Sequence, residues 1–200
     1  IGADAASASR YAQTKAAGEN GLREAFPKAV ILRPSIIFGP RDSFFNRFAA
    51  MSQMAPALPL PGGGGMRMQP VYVEDVASAI LAGLGLIRLS PKQQPEGRVY
   101  ELGGPEILSF RQLMELTLEY CQRRRLLVSV PFPALKLGAA VAELLPNPPL
   151  TLDQLRLLQL DNIVGRASLT LAELGIVATA IGAVVPSYLV RYRPGGLFRK

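Results

Sequence analysis

Residues 29–40 read AVILRPSIIFGP, an apolar stretch divided by an Arg-Pro step. Its first four residues are apolar without alternation, which predicts a short strand that is buried on both faces. The step Arg33-Pro34 ends this run, and Gly39-Pro40 is a turn pair. Because strands of this kind occur in parallel sheets that helices cover, the stretch predicts an α/β protein.

Helical and strand-like segments alternate on both sides of this stretch. An Ala-rich helix is predicted from about Ser9 to Phe26, with Ser7 or Ser9 as its N-cap and Pro27 as its stop. Further short strands and helices follow, including strands at Val99–Leu102 and Leu126–Val130, a helix whose start Glu74 and Asp75 are predicted to cap, and a helix from its cap Ser109 to about Arg123. The rest of the last third is predicted to be mainly helical, with a helix at about Ala134–Leu145 followed by a proline-rich link at Pro146, Pro148 and Pro149. The order indicates an α/β layer with a smaller helical cap.

The composition excludes several classes of chemistry. The chain has 200 residues, of which 49% are hydrophobic and 18% charged, as in a globular protein. It has no histidine, which excludes Ser-His-Asp and Cys-His hydrolases and most catalytic zinc sites, and no metal site is predicted. The single cysteine, Cys121, is expected to be a small core residue in a reducing compartment. No apolar run reaches the roughly 18 residues of a membrane span.

The charge balance points to anionic partners. A net charge of +7 and a pI near 9.9 suit nucleic acid, an anionic membrane surface or an anionic cofactor. The dense basic run Arg123–Arg125 is interpreted as a solvated helix end, and no nucleic-acid partner is predicted. The chain begins at Ile1 rather than methionine and shows no signal peptide, so we expect it to be a fragment of a longer protein.

Tyr11 and Lys15 are the candidate catalytic pair. They are four residues apart on a predicted helix, so their side chains share one face and can act on one ligand. A nearby ammonium group favours the phenolate form of tyrosine, which prepares the hydroxyl for proton exchange with a carbinol or carbonyl oxygen. Hydride exchange with a nicotinamide requires this proton transfer. The alternative is that Tyr11 packs in a groove while Lys15 is solvated.

The order of four short motifs strengthens the first interpretation. They are YAQTK at residues 11–15, VILRPSIIFGP at 30–40, QPVYVEDVA at 69–77 and YELGG at 100–104. In order and spacing they resemble successive signatures of the extended short-chain dehydrogenases/reductases, and they cover about the first 110 residues. Chance accounts far less well for such an ordered series than for one tyrosine–lysine spacing.

The resemblance implies a fold and a domain division. The fold would be α/β, the C-terminal part of a Rossmann-type doubly wound parallel sheet with a small, mainly helical C-terminal cap. Residues 1–107 would be the C-terminal portion of an NAD(P)-binding domain, with a short substrate-side insertion at about 41–65. Residues 108–200 would be a smaller, mostly helical substrate or cap domain and tail.

The resemblance also implies roles for individual residues. In that family the helix carries the catalytic tyrosine and the lysine that holds the nicotinamide ribose, which would be Tyr11 and Lys15. Contacts to the nicotinamide would fall on Pro34, Ser35 and Ile36. The implied cofactor is NAD or NADP.

A narrower resemblance rests on QPVYV at 69–73, FFNRF at 44–48 and VPSYLVRYRP at 185–194. These stretches look like the branch that includes the nucleotide-binding accessory subunit of respiratory complex I and its bacterial relatives. That branch implies complex I subunits as partners. It also implies a cytoplasmic location, with a peripheral position on the inner membrane face, or the matrix side of the mitochondrion in a eukaryote.

Two departures from the family matter. Its pyrophosphate-binding glycine turn and its catalytic serine normally lie upstream of the tyrosine, so we expect both before Ile1. Sugar-nucleotide epimerases place an arginine where this chain has Met68, and the adjacent Arg67 would point to the opposite face of a strand. The second departure argues against a nucleotide-sugar substrate.

Three functions therefore stay open. The first is an accessory or assembly protein that holds NAD(P) with little or no turnover, and the second is an active oxidoreductase or epimerase that uses Tyr11 and Lys15. The third is a membrane-surface module of the quinone or respiratory pathway. It rests on aromatic residues that alternate with basic ones from Leu189 to Lys200, flanked by Tyr188. The alternative for this tail is a docked, solvated segment.

Overall fold

A computed structural model describes residues 1–87, 94–143 and 151–196. Three features expected from the sequence lie outside these ranges. They are the end of the predicted helix at Leu145, the proline-rich link at Pro146, Pro148 and Pro149, and the tail residues Phe198, Arg199 and Lys200.

Seven α-helices occur in the described ranges. Their bounds are α1 (Arg10–Ala25), α2 (Phe45–Met54), α3 (Val73–Gly83), α4 (Phe110–Tyr120), α5 (Phe132–Ala142), α6 (Leu152–Leu157) and α7 (Ile181–Leu189). Ser9 caps α1 through a bond from the Ala12 amide, as predicted. Short 3-10 turns lie at Gly62–Gly64, Ala172–Leu174 and Val190–Tyr192. The glycines of the first turn have φ values of +55°, +82° and +75°, which a residue with a Cβ adopts only under strain.

Eight short strands form four pairs within the same ranges. The strands are β1 (Ile31–Pro34), β2 (Ile37–Phe38), β3 (Ala57–Pro61), β4 (Arg67–Met68), β5 (Val71–Tyr72), β6 (Val99–Leu102), β7 (Leu108–Ser109) and β8 (Leu126–Val130). β1 pairs with β6, β2 with β5 and β3 with β8, all in parallel, whereas β4 and β7 are antiparallel. Parallel pairs interleaved with helices confirm the predicted α/β class.

The residues group by their contacts into two compact units. Unit 1 comprises Ile1–Gly39, Gln69–Ile107 and Asn162–Ile181, and unit 2 comprises Pro40–Met68, Leu108–Asp161 and Gly182–Lys200. Asn162–Ile181 thus belongs to unit 1 by contacts, although the range 108–200 was assigned to the smaller domain from sequence. The assignment of functions to residues 1–107 and 108–200 stays a prediction.

The core of unit 1 lies between the β1–β6 pair and α3. Val71, Leu102 and Leu174 have no exposed surface, and Tyr100 is nearly as well buried. Asp75 corrects an expectation, because it and Glu74 were predicted to cap α3, yet no side chain caps that helix. The buried Asp75 carboxylate instead accepts bonds from the Thr179 amide at 2.7 Å and the Thr179 hydroxyl at 3.0 Å.

The core of unit 2 is aromatic and aliphatic. Phe45 and Leu58 are fully buried, and the Phe44 ring meets Phe110 edge to face at 5.9 Å. Cys121 is fully buried, which confirms the prediction of a core residue, and this burial raises the pKa of its thiol to about 11. None of the helices in the described ranges combines the length and the apolar character that a bilayer crossing requires.

Candidate functional site

The helix α1 positions the candidate catalytic pair. Only Ala12 and Ala16 of this helix are buried, so α1 packs through a narrow stripe of small side chains. Tyr11 is 55% exposed and Lys15 is also exposed. Because these two residues each precede a buried alanine, they lie side by side along the edge of the buried stripe.

The structure brings Tyr11 and Lys15 into contact. The Lys15 Nζ lies 5.5 Å from the centroid of the Tyr11 ring, within the range of a cation–π interaction. The positive charge is thus held within several ångströms of the phenol, as the four-residue spacing predicts. Tyr11 therefore presents an exposed hydroxyl with an ammonium group beside its ring, an arrangement that suits general acid–base chemistry on a bound oxygen atom.

Pro34, Ser35 and Ile36 lie where β1 ends. Pro34 is in register with Leu102 of β6, and the Ser35 amide donates to the Leu102 carbonyl at 2.9 Å. The Ile36 carbonyl accepts from the Val71 amide at 2.9 Å. The backbone of all three residues is therefore held by neighbouring segments of unit 1. In open α/β sheets, ligands bind at this carboxyl end of the strands.

Asn162 is a site residue that the sequence did not indicate. The Ser35 side chain is buried, and its hydroxyl donates to Asn162 Oδ1 at 2.5 Å, with the Asn162 carbonyl oxygen at 3.1 Å. The same carbonyl accepts from the Gln69 amide at 3.0 Å. Asn162 therefore joins the end of β1 to the segment that begins the third motif. No sequence pattern relates residues 127 positions apart, so only the fold reveals this contact.

The Gln69 side chain extends this network. Its Nε2 donates to the Gly104 carbonyl at 2.8 Å, and its Oε1 accepts from the Val164 amide at 3.0 Å. Gly104 itself must be glycine, because a Cβ there would collide with the carbonyl oxygen of Pro70. The motif YELGG is thus explained by close backbone contact at the end of β6.

A groove of about 500 Å³ lies beside this network in unit 1. Gln69, Gly103, Gly104, Thr170 and Ile176 are among the residues that line it. The groove offers space next to the strand end that carries Gly103.

Arg33 joins the two parts of the candidate site, the helix α1 and the end of β1, and no sequence pattern indicated this role. Its guanidinium donates to both carboxylate oxygens of Glu19 on α1, at 2.8 and 2.6 Å, and lies 3.6 Å from Glu101 on β6. The bond with Glu19 raises the pKa of Arg33 above its ordinary value. The helix that carries Tyr11 is thereby tied to the strand that ends at Pro34. As a sequence pattern the Arg-Pro step predicts only the end of a strand, and it carries no signal for the ion pairs of Arg33.

The side chains of Arg67 and Met68 lie on opposite faces of β4, as expected. Met68 is 4% exposed, whereas Arg67 is exposed. The Arg67 guanidinium donates to the Asp161 carboxylate at 2.8 and 2.6 Å. Arg67 is therefore engaged in an ion pair of unit 2. Among the residues described, no group of three or more His, Cys, Asp or Glu side chains is placed to hold a metal ion.

The described part of the basic, aromatic tail is docked within unit 2. The Tyr188 hydroxyl donates to Asp42 at 2.5 Å, and the Tyr192 hydroxyl donates to Asn46 at 3.1 Å. Arg191 donates to Asn46 Oδ1 at 3.1 Å, and Arg193 donates to the Tyr120 carbonyl at 2.8 Å. These contacts support the interpretation of residues 188–193 as a docked segment. The membrane-surface module stays a prediction.

Comparison with known proteins identifies relatives of the chain. The model of the NAD dependent epimerase/dehydratase family matches residues 3–103. NADH dehydrogenase (ubiquinone) 1 alpha subcomplex subunit 9, mitochondrial, of Arabidopsis thaliana is 34% identical over 98% of this chain and 50% of the relative. The chain spans about half the length of the curated relatives it matches over nearly its whole length. These findings confirm the resemblance inferred from the four motifs.

Solved structures agree on the fold. The crystal structure of gox2253 matches with a TM-score of 0.60 and 21% identity, over 90% of this chain and 54% of that one. UDP-glucuronic acid 4-epimerase from Bacillus cereus, solved with UDP-glucuronic acid and NAD, matches with a TM-score of 0.51 and 23% identity. The match covers 60% of this chain and 39% of that one. At these identities the likeness shows the fold alone. It confirms the predicted Rossmann-type α/β architecture.

Proposed function

The chain belongs to the NAD dependent epimerase/dehydratase family, and we propose that it acts as an NAD(P)-binding accessory or assembly protein related to the complex I subunit. In this proposal residues 1–107 contribute the nicotinamide half of a dinucleotide site. Residues 108–200 form the smaller cap domain and tail. The partners are complex I subunits, and the location is the cytoplasmic side of the inner membrane or the mitochondrial matrix side.

One observation carries the proposal. Tyr11 and Lys15 stand side by side on α1, and Arg33 ties that helix to the strand that ends at Pro34, Ser35 and Ile36. A cofactor site needs both parts in fixed relation, because a displacement of about 1 Å can cost a factor of a hundred in activity. The ion pair with Glu19 supports such a relation.

The side chains at the end of β1 fit a nicotinamide nucleoside. The Ser35 hydroxyl is engaged by Asn162, so we assign Ser35 to holding the strand end rather than to donating to the ligand. Pro34 and Ile36 are half-buried and offer apolar surface to a planar ring. Lys15 supplies an ammonium donor for ribose hydroxyl groups. When bound, the dinucleotide, NAD or NADP, would supply a hydride acceptor or donor.

An accessory role is favoured over turnover by the relatives. Three curated relatives that match 96% or more of this chain are named as subunits of NADH dehydrogenase or NADH-ubiquinone oxidoreductase. Arg67, which is adjacent to the position where epimerases place their diphosphate arginine, is paired with Asp161. This pairing speaks against a sugar diphosphate as substrate.

An active oxidoreductase or epimerase is the second candidate, and the exposure of Tyr11 favours it. In that mechanism the Tyr11 hydroxyl exchanges a proton with the carbinol or carbonyl oxygen of the substrate, while Lys15 stabilises the phenolate. A Tyr11→Phe variant keeps the ring and removes the transferable proton. Turnover of NADH that disappears in this variant would establish the second candidate, whereas nucleotide binding without turnover in either protein supports the accessory role.

Calorimetric titration tests nucleotide binding itself. Reduced nicotinamide mononucleotide contains only the part of the cofactor that these residues are proposed to hold, and AMP contains the other part. We expect the mononucleotide to bind and Lys15→Met to weaken it at least about fivefold, the loss of one charge-assisted hydrogen bond. Lys28→Met is the matched control, since Lys28 is an exposed lysine of unit 1 paired with Glu96. Equal affinities of the two lysine variants, or binding of AMP alone, would overturn the proposal.

A further inference from the structure

The basic run that follows α4 is only partly solvated. Arg124 is exposed, as the sequence predicts, whereas Arg123 and Arg125 are half-buried. The Arg125 Nε donates to the carbonyl oxygen of Ser52 at 2.8 Å, and the Arg123 Nε donates to that of Tyr192 at 2.7 Å. All these residues belong to unit 2. The interpretation of the run as a solvated helix end is therefore correct for Arg124 and wrong for the other two side chains.

Arg123 and Arg193 each bind the main chain of the segment that carries the other. Arg123 donates to the carbonyl oxygen of Tyr192, which directly precedes Arg193. The Arg193 Nε donates in turn to the carbonyl oxygen of Tyr120 at 2.8 Å, three residues before Arg123. Arg193 is half-buried like Arg123. The reciprocal bonds thus bring two guanidinium groups together within unit 2, on segments that are 70 positions apart in the sequence.

The thiol of Cys121 lies close to both charges. Burial raises the pKa of this thiol to about 11, and the positive charges of Arg123 and Arg193 act on it in the opposite direction. Both guanidinium groups therefore lie near enough to one sulfur atom to affect its ionisation. Two positive charges in such a half-buried place repel each other, and an anion that contacts both would replace this repulsion by attraction.

Helix capping accounts for only one nitrogen atom of each arginine. Tyr120 is the last residue of α4, and its carbonyl oxygen is one of those that the helix leaves unpaired, so Arg193 caps this helix end. The printed length of each bond joins Nε to a carbonyl oxygen, and the Nη groups take no part in it. In the part of the chain that the structure describes, neither arginine forms an ion pair with a carboxylate.

From this arrangement we infer that Arg123 and Arg193 bind a phosphate dianion, either the free ion or the phosphate group of a small monoester. Planar guanidinium groups donate paired hydrogen bonds that match the oxygen atoms of a phosphate group. Because the Nε of each side chain is already bound to the main chain, binding orders little further side-chain freedom.

The charge of the site favours a monoester over other anions. Two guanidinium groups match the charge of about −1.5 to −2 that a phosphate monoester carries at neutral pH. A carboxylate or a phosphate diester brings a single negative charge and would leave one guanidinium group without compensation. The inference does not depend on nucleotide binding, which is assigned to Lys15 and the end of β1 in unit 1.

Calorimetric titration of the complete chain with methyl phosphate and with dimethyl phosphate tests the inference. We expect the monoester to bind at least about tenfold more tightly than the diester, since it carries the additional charge. Inorganic phosphate should bind as well, and the tighter of inorganic and methyl phosphate identifies the form of the ligand. Arg123→Gln and Arg193→Gln should each weaken the binding of methyl phosphate at least about tenfold, because each removes charge-assisted hydrogen bonds.

Arg124→Gln is the matched control for these variants. It removes the same charge from the same basic run, but its side chain is exposed, so the affinity for methyl phosphate should change by less than about twofold. Arg123→Lys keeps the positive charge after α4 and loses the planar fork, so it should weaken binding at least about threefold without loss of fold. Circular dichroism of each variant establishes that it is folded.

Four results would each overturn the inference. They are a wild-type chain that does not bind methyl phosphate, equal affinity for dimethyl phosphate, equal losses in Arg123→Gln and Arg124→Gln, and binding of methyl phosphate that Lys15→Met abolishes. The last result would place the phosphate in unit 1. Loss of nicotinamide mononucleotide binding in Lys15→Met, with methyl phosphate binding retained, would separate the two sites and support both assignments.

Discussion

The Ser35 hydroxyl donates a hydrogen bond to Asn162 Oδ1 at 2.5 Å, although the two residues are 127 positions apart in the sequence. Both residues belong to unit 1, and Ser35 is 6% exposed. The contact places the segment after residue 161 against the end of β1. The position of Pro34 and Ile36 therefore depends on a part of the chain that none of the four motifs includes.

Removal of either partner should destabilise unit 1. We expect Asn162→Ala to lower the free energy of unfolding by about 1–3 kcal/mol, since it leaves the buried Ser35 hydroxyl without its bond, and Ser35→Ala to lower it by about 1 kcal/mol, since the Asn162 side chain is only half-buried. In the double variant the losses should not add, and a coupling of about 0.5 kcal/mol or more should appear in urea denaturation. Strictly additive losses would show that the two side chains act independently. The affinity for nucleotide should fall together with the free energy of unfolding if Ser35 holds the end of β1 as proposed.

Replacement of Arg33 should destabilise the protein even when lysine takes its place. Its two bonds to Glu19 need the planar guanidinium fork, and the two side chains are only 25% and 16% exposed. We expect Arg33→Lys to cost about 1–3 kcal/mol of unfolding free energy and to weaken nicotinamide mononucleotide binding. Lys28→Met breaks the exposed pair with Glu96 at 3.2 Å and should cost less than about 0.5 kcal/mol. Similar losses in the two variants would contradict this account.

Gly104 and Gly18 should respond to alanine in opposite ways. A Cβ at Gly104 would meet the carbonyl oxygen of Pro70, a backbone atom that cannot move aside, so Gly104→Ala should cost at least about 2 kcal/mol. At Gly18 of α1 nothing lies within 4 Å of the added atom. Gly18→Ala should therefore stabilise the protein by about 0.5–1 kcal/mol, through higher helix propensity. Thermal melts of both variants check the prediction, and a stable Gly104→Ala protein would refute it.

Asp161 should contribute to acid sensitivity. The hydrogen bond from the Arg67 side chain holds the pKa of Asp161 below its ordinary value. A carboxyl group whose pKa is lower in the folded state stabilises the protein above its unfolded pKa, near 4, and this contribution is lost as the pH falls through the folded pKa. The urea midpoint of the wild-type chain should thus exceed that of Arg67→Gln at pH 7, and the gap should close on acidification.

The variant Arg156→Gln is the control for this dependence of the urea midpoint on pH. Arg156 faces Asp153 at 3.5 Å, a longer pair than the 2.6 Å between Arg67 and Asp161. We expect its effect on the urea midpoint to be smaller at every pH, because exposed and loosely formed pairs contribute little. A gap between wild type and Arg67→Gln that stays constant from neutral to acid pH would show that Asp161 is not the responsible group.

Local sequence patterns predicted much of the secondary structure. The bounds of β6 and β8 match the predicted ranges Val99–Leu102 and Leu126–Val130, and Ser9 and Ser109 cap the helices assigned to them. Hydrophobic periodicity, prolines and capping residues act on neighbours within a few positions, so the elements they specify can be recognised from the sequence without knowledge of the fold. The Tyr11–Lys15 contact was predictable for the same reason, since helical spacing alone places the two side chains together.

The sequence by itself thus determined the α/β class, the helix that presents Tyr11 and Lys15, and membership in a nicotinamide-dependent family. The tertiary structure alone decided that Asn162 holds Ser35, that Arg33 joins α1 to β1, and that the described basic tail is docked. The physical reason is the separation along the chain of the residues that make each contact. Spacing along the chain encodes contacts within a helix or strand, whereas these pairs meet only when distant segments pack together.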